Sequence, residues 1–201
     1  EGEFPADAFR AMGLPYLKIA GQKGWHGVAI ASRLPIEDPE PLDVCREGHA
    51  RCVGVKVAGV EIQNFYIPAG GDVPDRELNP KFDHKLDFYE KLTAEMARRD
   101  PKAPLAIVGD LNVAPGEADV WNHKYMSKVV SHTPIEIETA ERLRASLDFT
   151  DLVRQAVSAR ELYLRDRHYI VQAGKIATVV LQFGERNPGM TRVMVGDALV
   201  F

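Results

Sequence analysis

Short apolar runs alternate with amphipathic stretches along most of this chain, and the two patterns predict different elements. Continuous runs rich in valine, isoleucine and alanine are typical of buried strands, whereas apolar residues that recur every three or four positions are typical of helices. Strands are predicted at residues 28–32, 52–57, 60–67 and 105–108, and helices at 82–99 and 137–147. Strand pairs divided by helices predict an α/β fold.

The first predicted helix carries an apolar face made by Phe82, Leu86, Tyr89 and Met96. Their helical spacing indicates residues that face a hydrophobic core rather than a cofactor. Residues 68–80 lie upstream of this helix, contain two glycines and show no periodicity. They predict a long loop.

The segment LAIVGDLNVAP, residues 105–115, carries the most informative polar residues. Its apolar strand runs through Gly109 into Asp110 and Asn112, which lie two positions apart and therefore on one face. A carboxylate can hold a hard cation or take a proton from water, and a neighbouring amide can donate to a phosphate oxygen. Taken alone, an Asp and an Asn after a strand are more often turn residues than catalytic ones.

Two other predicted strands also end in polar, glycine-rich or proline-rich loops. The strand in GQKGWHGVAIASRLP ends in Ser32 and Arg33, and the strand in VEIQNFYIPAGG delivers Asn64 and Tyr66 before a proline and two glycines stop it. Three predicted strands therefore end in polar, glycine-rich or proline-rich loops.

With these residues in place, the chain resembles the exodeoxyribonuclease III family, the bacterial apurinic/apyrimidinic endonucleases of the endonuclease/exonuclease/phosphatase superfamily. The matching segments are EFPADAF, GQKGWHGVAIASR, the arginine of HARCVGV, NFYIPAGG, KFDHKLDFYEKL and GDLNVAPGEADVW. They follow the family order from about residue 1 to about residue 157. The resemblance implies a partial two-sheet β-sandwich flanked by helices, with the site at one edge.

The resemblance also implies roles for matched residues. Asp110 is expected to activate the attacking water or hold Mg²⁺, with Mn²⁺ as a possible substitute, and Asn112 is expected to be an orienting and metal-site group. Tyr66 matches the active-site tyrosine of the family, whose hydroxyl lies near the scissile phosphate. Without the resemblance, Tyr66 is better explained as an ordinary strand residue.

Four further residues fall in the matched segments as expected contributors to substrate binding or to its support: Gln22, Lys23, Arg51 and Asn64. Their ordinary explanations are a solvated turn for GQKG, a surface charge for Arg51 and a strand residue for Asn64. The implied substrate is duplex DNA with abasic sites or 3′ ends, acted on by a cytoplasmic monomer. The alternatives are an impaired, truncated relative that only binds DNA, and a superfamily phosphodiesterase for a small substrate.

The chain departs from the family pattern at both ends. The family's first strand and its metal-binding glutamate precede EFP, so we expect the numbering to begin inside a longer or processed protein. The closing family motifs, including a terminal SDH, are absent after residue 157. Residues 1–157 are therefore interpreted as an incomplete family domain. Residues 158–201 are interpreted as a divergent tail, with apolar stretches at 175–183 and 191–201 predicted to form a β-hairpin across GERNPG.

Composition changes this picture little. The chain has 201 residues, 45% of them hydrophobic, which suits one globular core, and no apolar run approaches a membrane span. Cys45 and Cys52 have no metal-ligand spacing and are expected to be free thiols. The net charge of −4 does not exclude DNA, because a local basic rim suffices. The candidate rim residues are Lys23, Arg33, Arg51, Lys81, Lys85 and Lys124.

Overall fold

The computed structural model describes residues 4–24 and 27–152, and beyond these the backbone of four short strands between residues 169 and 200. The chain divides into two compact units. Unit 1 comprises Glu1–Tyr66, Ala103–Asp110 and Arg167–Phe201, and unit 2 comprises Ile67–Lys102 and Leu111–Asp166. Both helices and strands are present, so the predicted α/β class is confirmed.

Unit 1 contains one helix and all the described strands. They are helix α1 (Ala6–Ala11) and strands β1 (Tyr16–Gly21), β2 (Gly27–Ser32), β3 (Ile36–Glu37), β4 (Cys52–Val57), β5 (Val60–Tyr66), β6 (Leu105–Asp110), β7 (Tyr169–Ala173), β8 (Ile176–Val180), β9 (Val193–Val195) and β10 (Ala198–Val200). One sheet has the order β1-β2-β10-β9, a second has the order β3-β4-β5-β6, and β7 pairs with β8. The four predicted strands are confirmed, whereas α1, β1 and β3 were not predicted.

The two four-stranded sheets share a hydrophobic core. Val28 and Ile30 of β2 cluster with Val55 of β4, Ile62 of β5 and Val108 of β6. In β4 the valines are buried while the residues between them are half-buried or exposed, which is the alternation expected of a strand with one core face. This packing of two sheets through valine and isoleucine side chains confirms the predicted sandwich.

Strands β5 and β6 run parallel, unlike the other described pairs. Their register places Phe65 beside Gly109 and Tyr66 beside Asp110. Gly109 has a φ of +111°, and a Cβ built there would lie 2.1 Å from the backbone oxygen of Phe65. Only glycine therefore permits the close approach of the two strand ends.

The described part of the tail contains two pairs of strands. Strand β7 pairs with β8, β9 pairs with β10, and β10 also pairs with β2. The stretch at 191–201 therefore contains two strands that pair with each other. The predicted turn GERNPG and the predicted boundary at residue 157 lie outside the described residues.

Unit 2 is helical in its described part. Helices α2 (Pro80–Met96), α3 (His123–Met126) and α4 (Pro134–Ser146) are joined by loops and a 3-10 turn at Glu117–Asp119. The two predicted helices are confirmed, but both begin at prolines upstream of their predicted starts. Asn79 caps α2 through a side-chain bond from the Lys81 amide, and Thr133 and Glu136 form a capping box on α4.

The apolar face predicted for α2 is buried, with Phe82, Leu86, Tyr89 and Met96 each at most 1% exposed. Phe82 and Leu86 pack against Val130. Residues 68–79 contain no helix or strand, which confirms the predicted loop. Among the helices of the described ranges, none combines the length and the hydropathy needed to cross a bilayer.

The close approach at Gly109 can be tested against a second glycine. Gly109→Ala should lower the free energy of unfolding by about 3 kcal/mol or more, because it combines an unfavourable φ with a backbone clash. Gly59→Ala is the matched control, since Gly59 also has a positive φ, of +82°, but nothing lies within 4 Å of its built Cβ. Its cost should be about 1 kcal/mol. Urea unfolding measures both, and equal losses would contradict the assigned constraint.

Candidate active site

The carboxyl ends of β5 and β6 bring two of the predicted catalytic residues together. Tyr66 and Asp110 are register partners at the last positions of the two strands, and both side chains are half-buried. Parallel strands whose carboxyl ends meet at one edge present their final side chains to a common region. This edge therefore carries a phenol and a carboxylate within unit 1.

Arg51 lies directly against Tyr66. Its Nη1 donates to the Tyr66 backbone oxygen at 3.0 Å, and its guanidinium carbon lies 4.9 Å from the centroid of the Tyr66 ring. The Tyr66 amide donates in turn to the Arg51 oxygen at 2.8 Å. Arg51 is only 7% exposed, so its prediction as a rim residue is wrong. Burial lowers the pKa of the guanidinium, and Tyr66 acts in the opposite direction.

Asn64 supports β5 from inside the sandwich. Its side chain is 1% exposed, and Nδ2 donates to the backbone oxygen of Ala29 on β2 at 3.2 Å. This bond crosses from one sheet to the other. The position of Asn64 in the structure is therefore that of a structural support two residues before Tyr66.

Gln22 and Lys23 lie in the connection between β1 and β2. The Gln22 Oε1 accepts a hydrogen bond from the Ala50 amide at 2.6 Å, which fixes the residue before Arg51. Lys23 is exposed, as predicted for a rim residue, and so are Arg33, Lys81 and Lys124. The tryptophan that follows GQKG lies outside the described residues.

The two cysteines of unit 1 are free thiols, as predicted. Burial raises the pKa of the Cys52 thiol to about 12. Cys52 therefore stays protonated at neutral pH, where it is a poor nucleophile and a poor metal ligand.

In unit 2, Asn112 has a left-handed backbone with a φ of +51°. Its side-chain Nδ2 donates to the Ile67 backbone oxygen at 2.8 Å, and its own backbone oxygen accepts from Lys85 Nζ at 2.6 Å. Left-handed geometry is tolerated by asparagine better than by most residues. These contacts fix the amide on the loop that follows β6.

A buried ion pair holds the two loops that follow β5 and β6. Lys85 and Glu136 are both fully buried, and Lys85 Nζ pairs with the Glu136 carboxylate. Besides Asn112, the ammonium donates to the Ala69 oxygen at 3.3 Å. The carboxylate accepts from the Ser131 amide at 2.9 Å. The prediction of Lys85 as a rim residue is wrong, because its ammonium is fully desolvated.

Two further residues hold these loops, and neither role was predicted from the sequence: Tyr89 and Glu136. The Tyr89 hydroxyl donates to the Leu111 backbone oxygen at 2.7 Å, and Glu136 also accepts from the Thr133 hydroxyl at 2.6 Å. The TPIE capping-box pattern was the available signal for Glu136. A lysine within the apolar face of α2 was the available signal for Lys85.

His132 anchors the same loop from its other end. It is buried, and its Nδ1 donates to the Ala114 carbonyl, which can only accept. Nε2 of the same ring shares a hydrogen bond with His123 Nδ1 at 2.9 Å. The Ala114 amide also donates to the Ser131 oxygen at 2.8 Å. Residues 112–114 are thus fixed on both sides, which the sequence did not predict.

Among the residues that the structure describes, no group of three or more His, Cys, Asp and Glu side chains is placed to hold a metal ion. Within unit 1, Asp110 offers one carboxylate at the end of β6. Mg²⁺ at phosphate-processing sites commonly takes one or two carboxylates and completes its shell with water and substrate phosphate. A single carboxylate at this strand end therefore suits a hard cation that is shared with a substrate.

The packed sheets and the polar edge at β5 and β6 define an α/β sandwich with a candidate site at the carboxyl ends of two parallel strands. The chain belongs to the Endonuclease/Exonuclease/phosphatase family, whose sequence model matches residues 3–167.

Two curated relatives are similar to parts of the chain. An exodeoxyribonuclease of Bacillus subtilis is 28% identical over 116 residues, covering 54% of this chain and 42% of the relative. The DNA repair nuclease APEX1 of Danio rerio is 30% identical over 171 residues, covering 81% of this chain and 50% of the relative. The chain thus spans about half the length of these relatives.

Solved structures share the fold. An AP endonuclease from Archaeoglobus fulgidus superposes with a TM-score of 0.70 at 24% identity, covering 100% of this chain and 71% of that one. The 3′ phosphatase NExo from Neisseria, bound to a product DNA hairpin, superposes with a TM-score of 0.67 at 23% identity, covering 100% and 83%. This likeness supports the predicted fold.

The buried ion pair can be tested by unfolding. Lys85→Met should lower the free energy of unfolding by about 3–5 kcal/mol, because it leaves the Glu136 carboxylate buried without its cation. Lys81→Met is the matched control on the same helix, since the Lys81 side chain is exposed. It should cost less than about 1 kcal/mol. Similar losses in urea unfolding would refute the assigned role of Lys85.

Proposed function

We propose that this protein hydrolyses phosphodiester bonds of duplex DNA at abasic sites and 3′ ends in a Mg²⁺-dependent reaction. The observation that carries the proposal is the pairing of Tyr66 with Asp110 at the carboxyl ends of β5 and β6. Membership of the family, with relatives named as an exodeoxyribonuclease and a DNA repair nuclease, supports the choice of substrate.

Asp110 acts as the carboxylate that takes a proton from the attacking water. The Tyr66 hydroxyl donates to a phosphate oxygen, where negative charge increases in the transition state. Arg51 positions Tyr66 through its backbone and its ring, and adds a nearby positive charge. The Asn112 amide contributes a further donor or ligand without adding negative charge.

Asp110 and Asn112 are the residues that would hold Mg²⁺ or Mn²⁺. The ion supplies electrostatic stabilisation of the phosphate charge when it is bound. One carboxylate and one amide form a small ligand set, so the affinity for the free ion should be low and should rise with substrate. This small set is also the observation that favours the second candidate, a catalytically impaired relative that binds DNA without cutting it.

The remaining predicted residues have two roles in this proposal, binding the substrate and supporting the strand ends: Gln22, Lys23, Arg51 and Asn64. Exposed Lys23 contributes to the electrostatic attraction of the phosphate backbone. The other three residues maintain the edge, since each holds backbone on or beside the strands that deliver Tyr66. We further propose that the protein is cytoplasmic, for which two cysteines without a disulfide are the supporting observation, and that it acts as a monomer, as the family resemblance implies.

Cleavage of a duplex oligonucleotide with one abasic site, with Mg²⁺ or with EDTA, tests the proposal. The wild-type protein should cut only with Mg²⁺, and Asp110→Asn should lose on the order of a hundredfold in rate or more. Tyr66→Phe should lower the rate by about tenfold or more, because it removes one donor to the phosphate. Gel analysis of the 5′-labelled strand measures each rate.

Two conservative variants serve as controls. Asp100→Asn changes an exposed carboxylate that caps the Lys102 amide, and Tyr16→Phe changes a partly exposed tyrosine of β1. Both should cut at the wild-type rate. DNA binding without cutting would instead identify the impaired relative. Cutting of bis-(p-nitrophenyl) phosphate but not of DNA would identify a phosphodiesterase for small substrates.

A further inference from the structure

Unit 2 presents two large aromatic side chains to solvent next to each other. Trp121 is 62% exposed and Tyr125 is 61% exposed, and their ring centroids lie 5.3 Å apart at an interplanar angle of 41°. Large aromatic residues usually bury most of their area, so a contiguous exposed pair indicates a contact surface. The proposed hydrolytic mechanism uses neither residue.

Local hydrogen bonds hold this pair in place. The Asn122 side-chain oxygen caps α3 by accepting a hydrogen bond from the Tyr125 amide at 2.9 Å. The backbone oxygen of Asn122 accepts a second bond, from the Met126 amide, at 2.9 Å. The Ser127 hydroxyl donates to the Lys124 oxygen at 3.1 Å. The aromatic rings are therefore carried on a fixed turn of backbone, which reduces the entropy lost when a ligand binds.

Lysines flank the rings, and the Glu117 carboxylate lies 3.7 Å from Nε2 of His123 on α3. Lys124 and Lys128 are both exposed, and the segment from 121 to 130 contains no acidic residue. Asn122, Lys124, Tyr125, Lys128 and Val129 line a surface cavity of about 540 Å³. The nearest acid before the segment, Asp119, already accepts the Gly116 amide at 2.7 Å. Exposed rings flanked by lysines match the chemistry of a nucleobase joined to a phosphate backbone.

We propose that Trp121, Lys124, Tyr125 and Lys128 form an aromatic-lysine surface on which an unpaired base of single-stranded DNA stacks. The inference rests on the proposed function, because it assigns DNA as the ligand, and it adds a contact for unpaired ends or extruded bases. Stacking needs an exposed ring face and the lysines neutralise adjacent phosphates. A protein partner is the competing occupant, but the two exposed lysines, in a segment from 121 to 130 that itself contains no acid, favour a polyanion.

Binding of single strands in EDTA tests the surface without any cleavage. The probes are a fluorescein-labelled oligothymidylate of about 12 nucleotides and a matched strand of abasic tetrahydrofuran phosphates. Trp121→Ala should weaken binding of oligothymidylate by about tenfold, which is the loss expected for one stacked base. The affinity for the abasic strand should not change, because that strand has no base to stack. Trp121→Phe should restore most of the affinity, because phenylalanine also offers a ring face.

The lysines should behave differently from the rings. Lys124→Ala and Lys128→Ala should weaken binding of both strands and each reduce the slope of log affinity against log salt by about 0.7. Tyr16→Ala and Lys56→Ala change an exposed aromatic and an exposed lysine of unit 1, and they should affect neither probe.

Three results would overturn the inference. They are an unchanged affinity of Trp121→Ala for oligothymidylate, an equal loss for both probes, and no measurable binding of oligothymidylate by the wild-type protein. The first result would indicate that the surface binds a protein partner instead. The second would indicate that it binds the phosphate backbone without contacting a base. Because the assay needs no cleavage, base-dependent binding by a protein that cannot cut duplex DNA would contradict the proposed function alone.

Discussion

The parallel pairing of β5 with β6 is the constraint on which the candidate site depends. An antiparallel pair would place the end of one strand beside the start of the other, whereas the parallel register places Tyr66 beside Asp110. The pairing is possible because Gly109 removes the Cβ that would collide with the Phe65 backbone. A parallel pair also requires a long crossover, and unit 2 begins within it. The position of Tyr66 beside Asp110 therefore depends on the glycine, on the parallel register and on the crossover together.

Within unit 2, buried polar groups perform the corresponding task for the loops. Lys85, Tyr89 and His132 each donate to a backbone oxygen of residues 111–114. Buried charge is costly unless it is paired and hydrogen-bonded, and the Lys85–Glu136 pair meets both conditions. A purely apolar interior could fill the same space, but it could not hold specific carbonyl oxygens. The buried pair thus fixes the backbone around Asn112 at a cost in desolvation.

Much of this arrangement could be predicted from apolar patterning and motif order. The strands with continuous valine and isoleucine runs and the two amphipathic helices were found, because burial dictates their composition. Strands β1 and β3 were missed, since Lys18 interrupts the apolar residues of β1 and β3 has only two residues. Lys85 and Arg51 were expected at the surface because lysine and arginine usually are, and only tertiary partners distant in sequence reveal their burial. The residues after β6 were recognised, whereas their supports were not.

The most direct test of the account is paramagnetic broadening by Mn²⁺ of backbone amide signals in the isotopically labelled protein. Mn²⁺ held at the carboxyl ends of β5 and β6 should broaden the amides of Tyr66 and Asp110 first. It should leave Val60 and Leu105, at the opposite ends of the same strands, sharp. Asp110→Asn should remove the effect. Equal broadening at both strand ends, or broadening that persists in Asp110→Asn, would contradict the assignment of the site.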